Sequence, residues 1–236
     1  MDLYHSIAQR KSCRKYETQP LEHSIINEIE DAIKGFDVLC PSVPLEYRFS
    51  KKTKGRFNAE APQYLVISGQ GKAGEMENTG FLFEQLVLWL DAMEIGSVWL
   101  GSSKDLETQN TEKDIITLAF GRTTEQVHRT KDKFVRKPIG KITNAPDDVC
   151  IQAAHLAPSG VNTQPWYFEK KGGKVMVYEQ KLKPPVSLMY KLSDIDMGIA
   201  LCHYALACKE TGKPFQFSRV TEMPAKPGYL PFGIIE

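Results

Sequence analysis

The chain has 236 residues, 42% of them hydrophobic and 25% charged, and its 30 Lys and Arg against 29 Asp and Glu leave a formal net charge of +1. That balance is ordinary for a globular chain long enough for one large domain or two small ones, and it excludes the dominant basic field that nucleic-acid or membrane-surface binding requires. No stretch approaches the roughly 18 apolar residues of a membrane span, and the opening MDLYHSIAQRKSCRKY lacks the apolar core of a signal peptide, so a cytoplasmic setting is expected.

In chain order, residues 3–9 are expected to form a short polar helix. Residues 21–34 follow, with Ile25, Ile26, Ile29, Ala32 and Ile33 at helical spacing and Gly35 as a stop. Residues 63–68 (QYLVIS) read as a buried strand between Pro62 and Gly69. Residues 79–94 are apolar around most of a helix and predict a central core helix, ended by Gly96 in a left-handed cap. A strand is expected over 115–120, and a Pro- and Gly-punctuated basic loop over 136–142. A third helix over 147–156 is expected to be capped by Asn144 or Asp147. Residues 166–169 and 174–178, separated by Gly172-Gly173, give a hairpin signal. A second apolar helix over 195–211 and a final strand over 215–219 complete the chain. Helices and strands mix without regular alternation, which favours an α+β fold over a doubly wound sheet.

The five cysteines (Cys13, Cys40, Cys150, Cys202, Cys208) have no C-x-x-C spacing, so neither a disulfide framework nor a metal site is expected, and reduced thiols fit a cytoplasmic protein. The five histidines (His5, His23, His128, His155, His203) are scattered and read as surface or core residues.

The two halves correspond at a nearly constant offset. Pro41-Ser42 and Pro158-Ser159 lie 117 apart, each after a helix and before an aromatic strand start, Tyr47-Arg48-Phe49 or Trp166-Tyr167-Phe168. The helix ends Glu94-Ile95-Gly96 and Glu210-Thr211-Gly212 lie 116 apart, which sets Leu90 against Leu206. Self-similarity at a fixed period signals repeated architecture; two such halves would pack about a pseudo-two-fold axis, as subunits of a symmetric dimer do. The expected division is residues 1–142 and a shorter half, 143–236.

Three constellations carry chemistry. Arg10, Ser12 and Arg14 alternate around Lys11 and Cys13, so an extended segment would aim all three to one side. Two guanidiniums and a hydroxyl suit a dianionic phosphate; the alternative is an exposed basic segment. The loop from Ala157 to Trp166, APSGVNTQPW, is fixed by two prolines and a glycine. Its Ser159, Asn162 and Gln164 suit a planar heterocycle or a polyhydroxylated chain, or else cap the adjacent helix. Gly96-Ser97-Val98-Trp99-Leu100-Gly101-Ser102 has small residues that admit a ligand close to the backbone, or else makes a tight connection.

Together, R-x-S-x-R near the N-terminus, A-P-S-x-x-N-x-Q-P-W, an apolar helix running into G-x-x-W-x-G, and the late R-K-P-I-G-K-I resemble the FMN-dependent nitroreductase family. Typical members place the P-S-x-x-N loop early; here that position holds Pro41-Ser42-Val43-Pro44, without the Asn and Gln, and the intact loop lies in the second half. This is similar to a single-chain, internally duplicated subgroup. The resemblance implies two intertwined half-repeats forming a pseudo-dimer, monomeric as such, with one FMN per chain. It assigns the phosphate to Arg10, Lys11, Ser12, Arg14 and to Arg136 or Lys137, the latter two taken with the first half. Pro158, Ser159, Asn162 and Gln164 would serve the ring system or ribityl chain, and the backbone of Leu100, Gly101 and Ser102 the flavin N5 edge.

The implied activity is hydride transfer from NAD(P)H, a transient donor, through flavin N5 to a nitroaromatic, quinone or similar small acceptor. Such donors need no dinucleotide-binding module, since the nicotinamide need only stack briefly on the flavin. The alternatives are a non-catalytic FMN carrier, sensor or interaction protein that keeps the fold, and a different flavin reaction. Residues 104–113 or 181–190 are the candidate lid.

Overall fold

The run QYLVIS has four consecutive apolar residues, Tyr64 to Ile67, buried on both faces, and it forms an inner strand of the first of two four-stranded sheets in the computed structural model, which describes residues 2–236. The chain divides into a first unit ending at Lys133 and a second spanning Phe134–Glu236. The stretch 136–142 therefore belongs to the second unit.

The first unit contains α1 (Leu3–Ile7), α2 (His23–Gly35), β1 (Glu46–Ser50), β2 (Thr53–Lys54), β3 (Gln63–Ser68), α3 (Glu75–Ala92), β4 (Gly96–Leu100), β5 (Lys104–Asp105) and β6 (Asp114–Gly121). Its main sheet has the order β1-β3-β6-β4, antiparallel throughout, with Leu65 opposite Leu118 and Val98 opposite Ala119. The short β2-β5 pair ties down the start of the candidate lid at 104–113: Asp105 is buried and receives hydrogen bonds from Arg48 and Ser50, each at 2.8 Å.

Helix α3 is buried around nearly its whole circumference, and its two amide side chains, Asn78 and Gln85, bond to neighbouring chain. Asn78 accepts from the Leu39 and Cys40 N–H groups at 3.0 and 3.1 Å and donates to the Cys40 and Val43 carbonyls at 3.4 and 3.0 Å. Gln85 likewise accepts from Asp37 N–H at 3.1 Å and donates to its carbonyl at 2.8 Å. Buried polar side chains persist where they replace water's hydrogen bonds in this way.

The second unit contains α4 (Val149–His155), β7 (Trp166–Lys171), β8 (Lys174–Gln180), α5 (Val186–Met189), α6 (Ser193–Glu210), β9 (Phe217–Arg219) and β10 (Tyr229–Ile235). Its sheet order is β7-β8-β10-β9, again antiparallel throughout. Matching β1 to β7, β3 to β8, β4 to β9 and β6 to β10 makes the two orders the same, with an 18-residue helix after the second strand of each four-stranded sheet. The α+β expectation holds, and one topology is built twice. Among the described residues no helix is long and apolar enough to cross a membrane, and no cluster of three or more His, Cys, Asp or Glu could hold a metal.

Several boundaries differ from expectation. Helix α3 stops before Gly96: Glu94 is the left-handed residue (φ 57°), and Ile95 N–H closes on Leu90 O at 2.9 Å. In α6 the left-handed residue is Gly212 (φ 65°), and Lys213 N–H closes on Cys208 O at 2.8 Å. Both are Schellman-type ends, and they lie 118 apart. The counterpart of Leu90 is thus Cys208 rather than Leu206. Gly96 instead opens β4, where a Cβ would lie 2.8 Å from Cys13 Cβ, so its small size serves packing. The segment 96–102, expected as a turn, is a strand through Leu100. Asp148, not Asn144 or Asp147, caps α4, accepting from the Cys150 and Ile151 N–H groups at 3.0 and 3.4 Å. Strand β10 was not expected: Pro231 and Gly233 interrupt its pattern, and its register shifts between them.

A left-handed conformation costs a side-chain-bearing residue about 1–2 kcal/mol. Gly212→Ala should therefore lower stability by about 1 kcal/mol in urea unfolding, whereas Glu94→Gly should not lower it.

Candidate functional site

In the first unit, the segment after α1 is pinned on both sides. Arg10 N–H returns to Ser6 O at 2.9 Å, Arg10 forms an antiparallel bridge with His128, and Arg129 N–H donates to Gln9 O at 2.8 Å. Ser12 then bridges Ser97 of β4 in parallel, and Cys13 N–H donates to Ser97 O at 3.0 Å. Alternation from Arg10 to Arg14 does not place all three side chains alike. Arg10 leaves the chain at a helix end, is only 3% exposed, and has its Nε 3.8 Å from Oε1 of the fully buried Glu84. Ser12 is half-buried and Arg14 exposed. Glu84 also accepts the Trp99 indole N–H at 2.9 Å.

The bridge brings a residue into play that no sequence pattern marks. Arg129 is half-buried, and its guanidinium is pushed down to about 10 by burial and then by the Arg10 charge. Two guanidiniums held this near one another form a place where an anion is favoured. Lys11 lies beside them, its Nζ 3.5 Å from Glu125 Oε2, and Glu125 also accepts Arg14 N–H at 2.9 Å. That backbone bond, with Lys11, holds the Glu125 carboxyl below its ordinary value. At the end of β4, Leu100 is a core residue packed with Ala59, Tyr64, Val98 and Ala119, while Gly101 and Ser102 are exposed in the turn that follows.

In the second unit, Arg136, Lys137, Ser159, Asn162 and Gln164 meet in one hydrogen-bonded cluster. Arg136 donates to Leu156 O, at the end of α4, at 2.8 Å, and its Nη1 lies 3.5 Å from Asn162 Oδ1. Asn162 Nδ2 donates to Val135 O at 3.2 Å. Gln164 is 3% exposed: its Oε1 accepts Lys137 N–H at 2.7 Å, its Nε2 donates to Asn162, and its own N–H goes to Ser159 Oγ at 2.9 Å. Lys137 Nζ donates to Gln164 O at 2.9 Å and Gln180 Oε1 at 2.8 Å, and burial pulls its ammonium below its ordinary value. His155 Nε2 donates to Lys137 O at 2.6 Å. The assignment of Arg136 and Lys137 to the first half is therefore corrected: both brace the APSGVNTQPW loop of their own unit. Pro158 is half-buried at the entry to that loop.

The loop's backbone is strained. Val161 (φ 45°), Asn162 (φ 57°) and Gln164 (φ 46°) occupy the left-handed region, so among the described residues three of four non-glycine positive-φ positions fall within it. Such strain persists only where surroundings over-determine it, and it gathers at functional sites. Gly160 is required for another reason: a Cβ there would run into the Tyr190 ring. Beneath the loop sits Asp196, a buried carboxyl in an apolar helix; the only sequence signal for it is the second Asp of DIDMGIALCHYALA, on the side of the helix that its apolar neighbours share.

Val161 is 73% exposed, so its side chain gives little in return for its conformation. Val161→Gly should raise stability by about 1 kcal/mol in urea unfolding, an increase that a relaxed loop would not show.

The family model described as "Putative TM nitroreductase" matches residues 2–208. Among solved structures, a "putative nitroreductase" from Thermotoga maritima MSB8 is 19% identical, covers 100% of this chain and 93% of its own, and superposes with a TM-score of 0.70, which shows a shared fold. A nitroreductase family protein from Clostridium difficile 630 is 14% identical over 60% of this chain and 96% of its own, with a TM-score of 0.49. A protein from Clostridium difficile R20291 named an FMN-dependent nitroreductase is 16% identical over 54% and 92%, with a TM-score of 0.44. No curated protein matches the chain in sequence. With most of its length matched by the family model, the chain belongs to this nitroreductase family.

Proposed function

We propose that the protein is an FMN-dependent oxidoreductase that uses NAD(P)H to reduce a nitroaromatic, quinone or similar small acceptor. Within the first unit, the observation that carries the reading is the pairing of Arg10 with Arg129 on bridged segments beside Ser12 and Arg14. This donor set fits a phosphate monoester: guanidiniums offer paired N–H groups, and a hydroxyl completes the cradle. Glu84 neutralises part of the Arg10 charge and fixes its direction, so the guanidinium is oriented before a ligand arrives.

Arg10, Ser12, Arg14 and Arg129 would hold the phosphate of FMN, with Lys11 adding positive charge. The resemblance gives Asn162 and Gln164 to the ring or ribityl chain, and it is their rigid loop that supports this. The chemistry that bound FMN supplies is reversible two-electron transfer at its ring. The protein's part is to bind, orient and exclude water.

The test is an anaerobic absorption spectrum with FMN and then NAD(P)H. Binding near one equivalent per chain, followed by bleaching, is expected. Bound flavin that NAD(P)H does not bleach would favour a carrier or sensor, and no binding would remove the reading. Arg10→Ala with Arg14→Ala should weaken FMN by about 1.5–3 kcal/mol for each charged hydrogen bond lost; unchanged affinity would remove the phosphate assignment. Asn162→Ala should weaken FMN and Ser42→Ala should not, as measured by flavin fluorescence quenching.

A further inference from the structure

Asp196 lies in the first turn of α6 and is 2% exposed. Its Oδ1 accepts Gly160 N–H at 2.9 Å, and its Oδ2 lies 3.2 Å from Thr163 Oγ1. The Tyr190 hydroxyl, from the segment before α6, reaches the same carboxyl. These hydroxyls have other acceptors as well: Thr163 Oγ1 is 3.1 Å from Gly160 O, and Tyr190 Oη is 3.3 Å from Leu192 O. Each hydroxyl has one proton to give. With an ionised carboxylate, two protons face three acceptors, and a full charge is buried among neutral groups. A proton on Oδ2 resolves the conflict: Asp196 donates to Thr163, and Thr163 donates to Gly160 O.

The first unit supplies an independent comparison. Asn78 occupies the fourth position of α3, as Asp196 does of α6, and the two lie 118 apart, the offset set by the helix ends. Asn78 clamps the Pro41-Ser42 loop, the counterpart of the Pro158-Ser159 loop, with a neutral group that both donates and accepts. A protonated carboxyl has the same planar shape and likewise both donates and accepts, with one O–H in place of two N–H donors.

We propose that Asp196 is a positioning residue that works as a neutral carboxylic acid, the donor and acceptor that fixes loop 160–164, and that its ionisation loosens the loop. The groups facing it are Gly160 and Thr163 from the loop, Tyr190 before α6, and Glu179 from β8, whose like charge disfavours ionisation; Asp194, on its own helix, lies near Arg219. Burial pushes the Asp196 acid up to about 8, against about 3.9 in an unfolded chain. A folded value above the unfolded one sets the sign. The contribution to stability is complete below about 3.9, declines as pH rises, and is gone above about 8.

Amide exchange at Gly160 and Thr163 tests this without any ligand. Protection factors in the wild type should fall as pH rises from 6 to 8, by up to about tenfold per unit, and level off above. Asp196→Asn should keep the loop protected and abolish the pH dependence; Asp196→Ala should lose protection at every pH. A flat wild-type profile, or an Asp196→Asn protein as loose as Asp196→Ala, would overturn the proposal. FMN affinity should follow the same profile, a consequence that rests on the flavin reading. Failure of the wild type to bind FMN would remove that reading alone, because the exchange data decide the role of Asp196 separately.

Discussion

Each unit depends on one long buried helix whose few polar side chains grip the chain around it. An amphipathic helix needs only an apolar stripe, but α3 and α6 are enclosed on nearly every side, so any polar group on them must find its partner inside. Asn78 and Gln85 take the segment between α2 and β1. At the matching positions of α6, Asp196 takes the loop before β7, and His203 Nδ1 donates to Ala153 O of α4 at 3.2 Å. The helices thus act as frames from which the loops hang. Left-handed backbone at Val161, Asn162 and Gln164 is tolerated because Arg136, Lys137, Ser159 and Asp196 hold it from several directions at once.

The same economy shapes the basic segment of the first unit. Arg10 is drawn inward by Glu84, and Arg129 is brought to it by the bridge at His128. Positive charge is thereby concentrated at a partly dry place rather than spread over the surface. Burial strengthens an interaction with an anion there, since fewer waters compete for the guanidinium groups.

Much of the fold was legible because local patterns and tertiary demands agreed. QYLVIS and residues 115–120 were readable as strands from their apolar continuity, and Gly172-Gly173 fixed a hairpin turn. Strand β10 escaped because Pro231 and Gly233 mark a register shift inside it, and β4 because its opening glycine serves close packing on Cys13. The helix end at Glu94 was hidden by a glutamate in a conformation that glycine normally takes. In the candidate site, the APSGVNTQPW motif was visible as a string, but not that its Gln164 amide is used within the loop. Arg129 had no pattern to betray it, since its place follows from a bridge between segments more than a hundred positions apart.

Building one topology twice in a single chain has a genetic corollary. In a homodimer every substitution is made in both copies, so a residue improved for one role is imposed on its twin as well. Here the fourth position of the long helix is Asn in one unit and Asp in the other, and the helix stop is Glu in one and Gly in the other. A repeated scaffold encoded in tandem lets each copy drift toward its own task while the shared architecture stays fixed, so asymmetry becomes heritable without a second gene.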